Sequence, residues 1–122
     1  MNDCIFCRII AGEVPCYKIY EDDNTLAFLD VAGDAFGHTL VVPKEHCENI
    51  LDASDECIPH VMSAVRKIST HFVDNCDITG VRVISNCKES AGQSVMHLHF
   101  HIYPMGQDED CDLDKQRDML RL

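Results

Sequence analysis

A chain of 122 residues, 46% of them apolar, has material for one domain around one modest core, and its 25% charged fraction is ordinary for a globular protein. No apolar run reaches the length of a membrane span. The formal charge of −11 argues against a nucleic-acid duplex, whose phosphates need Lys and Arg, but leaves a nucleotide possible through backbone N–H groups and a few polar side chains.

The N-terminal stretch Met1–Cys7 lacks the basic and long apolar regions of a secretion signal. Eight cysteines without such a signal are expected to be reduced thiols in a cytoplasmic protein. Cys4-x-x-Cys7 has the spacing of half a tetrahedral zinc site, a weak signal in a cysteine-rich chain. A short helix is expected over Cys7–Ala11, closed by Gly12 and barred from extending by Pro15. Tyr17–Tyr20 and Thr25–Leu29 read as a hairpin, with Asp22-Asp23-Asn24 supplying the turn. A loop over 32–37 leads to a strand His38–Val42, ended by Pro43.

The one long helix is expected from Pro59 to about Asn75, with Ser54 or Asp55 as candidate caps. Val61, Val65, Ile68 and Phe72 keep helical spacing, and Met62 and Val73 widen that stripe. Val81–Ser85 is a fourth strand, and the run from Met96 to Tyr103 is a fifth. The acid-rich run 108–114 reads as solvated, within an acidic C-terminal tail over 107–122; residues 113–122 are a helix or a frayed end. The whole is one domain, 1–122, of the α+β class: a five-stranded antiparallel sheet with one long and one short helix.

The fifth strand carries the chemistry. Met96, Leu98, Phe100 and Ile102 alternate with His97, His99, His101 and Tyr103, so three imidazoles stand on one face, ~6.8 Å apart. Such a face can be inert, can ligate a catalytic metal through His-x-His, or can attack phosphorus. In the last case a neutral imidazole forms a covalent intermediate while its neighbours steady the transferring oxygens and protonate the leaving group. Ser90-Ala91-Gly92-Gln93-Ser94 just upstream is either an ordinary polar turn or an anion nest built of backbone N–H groups. The nest favours the phosphorus reading.

His97-Leu98-His99-Phe100-His101-Ile102-Tyr103 resembles the signature of the histidine triad (HIT) superfamily. Ile5–Pro15, Ala27–Val31, Gly37–Lys44 and Ala91–Val95 resemble further blocks of that family, in the same order, and most closely its Hint-like branch. The resemblance covers nearly the whole chain. It implies a purine nucleotide hydrolase, adenosine 5′-phosphoramidase-like, acting on AMP or GMP derivatives through a nucleotidyl-histidine intermediate at the α-phosphate. It further implies that His99 is the nucleophile, that His101 and His38 lie beside the α-phosphate, and that Ser94 and the backbone near Gln93 hold phosphate oxygens. Asn86 would orient groups there, and Asp30 would accept the ribose hydroxyls. Phe6, Ile10, Phe28 and Leu29 would sandwich the purine. Read without the family pattern, Asp30 is a turn residue and Phe28 a core residue. Relatives form homodimers, so a homodimer is expected.

Some relatives pair the two cysteines with two histidines, at positions matching His46 and His97 here. The resemblance thus implies a structural zinc on Cys4, Cys7, His46 and His97, with no cofactor needed for catalysis. One departure is Lys88, where many relatives carry glycine. Hydrolysis of dinucleoside polyphosphates and a non-catalytic nucleotide-sensing module are the alternatives.

Overall fold

The computed structural model describes residues 3–32, 34–107 and 111–122. Its elements are α1 (Ile5–Ile10), β1 (Lys18–Glu21), β2 (Thr25–Leu29), β3 (Thr39–Pro43), α2 (Cys57–Asn75), β4 (Gly80–Ile84), a 3-10 turn (Glu89–Ala91), β5 (Phe100–Met105) and α3 (Leu113–Leu120). The five strands form one antiparallel sheet in the order β1-β2-β3-β5-β4. The expected architecture is therefore present, with α3 as an additional helix. Among the described residues no helix is long and apolar enough to cross a membrane.

The hairpin between β1 and β2 is tied by one carboxylate. Asp22 Oδ1 accepts hydrogen bonds from the N–H groups of Asn24 and Thr25 (both 2.8 Å) and from Thr25 Oγ1 (2.7 Å), and Oδ2 accepts one from the Tyr20 hydroxyl (2.7 Å). Asp22 thus satisfies the turn's backbone donors directly.

Two helix boundaries differ from expectation. The first helix starts at Ile5 because the Cys4 sulfur accepts the N–H of Cys7 at 3.3 Å and so caps it. The long helix starts at Cys57, two residues before Pro59. The Ser54 hydroxyl accepts the Cys57 N–H at 3.1 Å, and proline is tolerated in a first turn, where its missing N–H has no partner to lose.

Both faces of the sheet are covered. On one, Val61, Val65, Ile68 and Phe72 of α2 pack against Ala27, Leu29, Val41 and Ile102. Met62 and Val73, expected to widen that stripe, are exposed instead; each lies one residue, about 100° of helix, away from the buried line. On the other face Phe6 of α1 joins Leu26, Phe28, Leu40 and Val42. His97 and His99, each edge-on to Phe6, belong to this second, thinner layer.

The C-terminal segment is partly anchored. Residues 108–110 of the acid-rich run lie outside the described residues, but Leu120 of α3 is fully buried in the main core. Gln116 Oε1 accepts the N–H of Gly37 at 2.9 Å, and the Leu122 N–H donates to the Ile19 carbonyl at 3.0 Å. Gly37 has φ +68, and a Cβ there would stand 2.8 Å from Leu120 Cδ1 and 2.9 Å from Pro104 Cγ. Only glycine allows this close approach without displacement, and the next residue is His38.

Candidate active site

The histidine segment is not a strand along its whole length. β5 begins at Phe100, so His97 and His99 precede it, and Met96, expected to point into the core, is exposed. The reason lies in competing partners. The Leu98 N–H donates to the Cys47 carbonyl (2.8 Å), and the Ser85 hydroxyl caps the His99 carbonyl (2.8 Å). The first bond ties residue 98 to the segment after β3, and the second ties residue 99 to the end of β4, in place of ladder pairing. The rings nonetheless share one side of the sheet: the Phe6 ring lies edge-on to His97 (5.9 Å) and to His99 (5.2 Å), and His99 lies 4.9 Å from His101.

His99 is buried, and its Nδ1 lies 2.7 Å from the His97 carbonyl. A carbonyl only accepts, so Nδ1 carries the proton and Nε2 keeps its lone pair. Burial pushes the His99 pKa below the ordinary value, against the raising effect of that hydrogen bond. His101 is pushed down to about 4, by burial first and then by its neighbours His99 and His38. Both shifts favour the neutral ring.

His101 connects to a relay. Its Nδ1 lies 2.9 Å from His38 Nε2, and His38 Nδ1 lies 2.8 Å from Asp34 Oδ1 and 3.3 Å from Asp30 Oδ2. Ionised carboxylates only accept, so His38 donates from Nδ1; in the neutral His38 ring Nε2 then accepts, and His101 donates from its Nδ1. The Tyr103 ring stacks on His38 at 4.1 Å. Asp34 and Tyr103 were not among the expected site residues. Asp34 stands four residues before His38 in a loop without periodicity, and Tyr103 shows only as the last member of the alternating face.

Beside this lies a largely apolar slot of about 220 Å³. Phe6, Phe28, Leu29 and Asp30 line it, together with Ile9, Val14, Val31 and Leu40. Ile10 does not line it; Ile9 does, and Ile10 packs against the thin core layer.

The loop expected to meet phosphate is less uniform. Asn86 is half-buried and approaches Gly92, whose φ is +97; a Cβ there would sit 3.6 Å from Asn86 Nδ2. Ser94 is exposed, beside Cys4, Ile5 and Met96, with no hydrogen-bond partner for its hydroxyl among the described residues. Gln93 is buried and used internally. Its amide nitrogen donates to the Glu48 and Val95 carbonyls, its amide oxygen accepts from the Lys88 N–H (2.8 Å), and its own N–H donates to the Lys88 carbonyl (3.1 Å). Gln93 thus braces the loop and has no free donor for a ligand, because the turn's polar groups must be satisfied from within.

His46 and His97 belong to a separate centre. One donor atom each from Cys4, Cys7, His46 and His97 lie within 4.8 Å of one another. His97 Nδ1 is 3.3 Å from Cys4 Sγ, 3.5 Å from Cys7 Sγ and 3.1 Å from His46 Nδ1, and Cys7 Sγ is 3.2 Å from His46 Nδ1. A tetrahedral zinc bound by two sulfurs and two nitrogens has ligand-to-ligand edges of about 3.3–3.8 Å, given Zn–S ~2.3 Å and Zn–N ~2.0–2.1 Å. His97 Nε2 donates to the Pro43 carbonyl at 2.9 Å, which leaves Nδ1 unprotonated and aimed at the cluster, the orientation expected of a metal-ligating histidine. Burial also lowers the His97 pKa, favouring the neutral form that ligates. The donor set fits a closed metal centre.

A family model described as the HIT domain matches residues 11–108. The chain is 47% identical over 103 residues to "Protein hit" of Bacillus subtilis, a match spanning 84% of this chain and 71% of that protein. It is 39% identical over 106 residues to a Schizosaccharomyces pombe protein named adenosine 5'-monophosphoramidase hnt1, spanning 87% and 77% of the two chains. Among solved structures, a zinc-bound histidine triad family protein from Mycobacterium smegmatis matches with a TM-score of 0.87 at 31% identity, spanning 98% of this chain and 91% of that one.

Proposed function

The chain belongs to the HIT, or histidine triad, family, and on that premise we propose that it is a purine nucleotide hydrolase of the phosphoramidase type. The observation that carries this reading is the hydrogen bond from His99 Nδ1 to the His97 carbonyl, which leaves a neutral Nε2 lone pair on a rigidly held ring. That nitrogen would attack the α-phosphorus of a nucleotide bearing an amine on its phosphate. A P–N bond to His99 forms and the P–N bond to the amine breaks, the amine leaving with a proton. Water then opens the nucleotidyl-histidine, giving the nucleoside monophosphate and free His99. His101 lies beside His99, and its Nε2 is suited to passing protons at this centre. The resemblance of the S. pombe relative, named a phosphoramidase, supports the choice of leaving group.

The base would enter the apolar slot between Phe6, Ile9, Phe28 and Leu40, with the ribose hydroxyls donating to Asp30 at its edge. Charge-assisted bonds of that kind are stronger than neutral ones. Ser94, Asn86 and the backbone around Gln93 would face phosphate once the loop adjusts to a ligand. Cys4, Cys7, His46 and His97 would hold a structural zinc, closed by four protein ligands and without a position for substrate. The exposed apolar side chains of Val83 on the edge strand β4 and of Met62 and Val73 on α2 favour a homodimer. A cytoplasmic location and the absence of nucleic-acid and membrane partners complete the proposal.

The test is a substrate panel with purified protein: adenosine and guanosine phosphoramidates against diadenosine polyphosphates. Turnover of phosphoramidates is expected. Turnover of polyphosphates alone would move the protein to the polyphosphate hydrolases, and tight monophosphate binding without turnover would make it a nucleotide-sensing module.

A further inference from the structure

His38 has two carboxylates at one nitrogen, and they are not equivalent. Asp34 Oδ1 is 2.8 Å from Nδ1, whereas Asp30 Oδ2 is 3.3 Å away. The other oxygen of Asp30 already accepts the Ala32 N–H at 2.9 Å. An imidazole Nδ1–H makes one strong hydrogen bond, and here Asp34 receives it. Asp34 is half exposed while the His38 ring is almost wholly buried, so a residue of the 31–37 loop reaches inward to an otherwise enclosed ring.

We infer that Asp34 is a positioning residue, which fixes the tautomer of His38 and through it that of His101. In the neutral His38 ring with its one proton held on Nδ1, Nε2 accepts, so His101 donates from its Nδ1. His101 Nε2 is then bare and available at the reacting centre. This deepens the function proposed above and rests on it in one respect: there the ribose hydroxyls engage Asp30, which leaves Asp34 as the sole partner of His38 Nδ1 in the loaded site. Two acids thus divide two tasks, Asp30 for the ligand and Asp34 for the relay. The Tyr103 ring stacked on His38 fixes the ring plane but offers no acceptor to its nitrogen, so the tautomer depends on the carboxylate.

The experiment is imidazole 15N spectroscopy on the full chain without ligand, paired with kinetics. In the wild type, His38 and His101 should both show a protonated Nδ1 and an unprotonated Nε2. Asp34→Ala should convert both rings to tautomer mixtures, and Asp34→Glu should restore the original pattern. Asp34 lies on the surface, so an unchanged melting temperature should accompany Asp34→Ala. On phosphoramidate substrate, Asp34→Ala should lower kcat about tenfold or more with little change in KM, whereas Asp30→Ala should chiefly raise KM. Unaltered His38 and His101 tautomers in Asp34→Ala would overturn the inference, because Asp30 would then suffice. Loss of the His38 signals on adding micromolar Mn2+ would also overturn it, by making Asp30, Asp34 and His38 a cation site. The spectra do not depend on turnover, so a wild type inactive on every substrate would refute the hydrolase reading while leaving the tautomer result to stand or fall alone.

Discussion

His97, His99 and His101 look interchangeable in the alternating run, yet each Nδ1 meets a different partner. His97 Nδ1 faces thiols and an imidazole, His99 Nδ1 a carbonyl, and His101 Nδ1 another histidine. The sequence therefore exposed the three rings and their common side, but their division of labour comes from residues far away in the chain: Cys4, Cys7 and His46 for the first, His38 with its acids for the third. Lys88 is a different case. Its backbone, φ +79 and ψ +158, lies in a region that is essentially reserved for glycine, held there by Gln93 on both its N–H and its carbonyl. Lys88→Gly should therefore stabilise the fold by about 1 kcal/mol, a strain of ~1–3 kcal/mol less the ~0.5–1 kcal/mol entropic cost of glycine. Urea denaturation of the two proteins measures this, and a loss of stability in Lys88→Gly would show that the conformation carries no strain.

At the scale of elements, the hairpin, the β3 strand and the α2 stripe were all legible, because Asx-type turns and periodicities of 2 and 3.6 are local signals. The start of β5 was not, since it is set by bonds from Leu98 to Cys47 and from Ser85 to His99 across the fold. The hairpin makes a prediction of its own. Burial works to raise the Asp22 pKa, but hydrogen bonds from Thr25, Tyr20 and Asn24 outweigh it and hold the group at about 2. The folded state thus binds the carboxylate form better than the unfolded chain does. This stability is fully present above the ordinary pKa near 3.8 and is lost as the pH falls toward about 2. Asp22→Asn should be less stable than wild type at pH 7, with the gap closing between pH 4 and pH 2; an unchanging gap would remove the carboxylate from the account.

Helix α1 makes another. It has six residues, too few to persist alone, and it carries Phe6 and Ile9 of the slot as well as Cys7 of the metal cluster. Purified protein should contain one zinc per chain, and strong chelation should lower the melting temperature and speed hydrogen exchange in residues 4–10 before the rest. Metal-free protein as purified, or chelation that leaves both observables unchanged, would contradict the structural role.

For the molecule as a whole, the sheet separates support from chemistry. The α2 face holds most of the buried apolar side chains, while the α1 face holds the aromatic slot and every histidine of the site. The C-terminal helix joins the two through Gln116 and Gly37, one residue from His38, a link invisible in a sequence read as an acidic tail. The catalytic reading of this face depends on one covalent event at His99 Nε2. Rapid quenching of the protein with adenosine 5′-phosphoramidate, followed by peptide mass spectrometry, tests it most directly. The account predicts an adenylyl group on His99 during turnover and its absence, together with loss of turnover, in His99→Ala. Adenylylation at another residue, or wild-type turnover by His99→Ala, would contradict it.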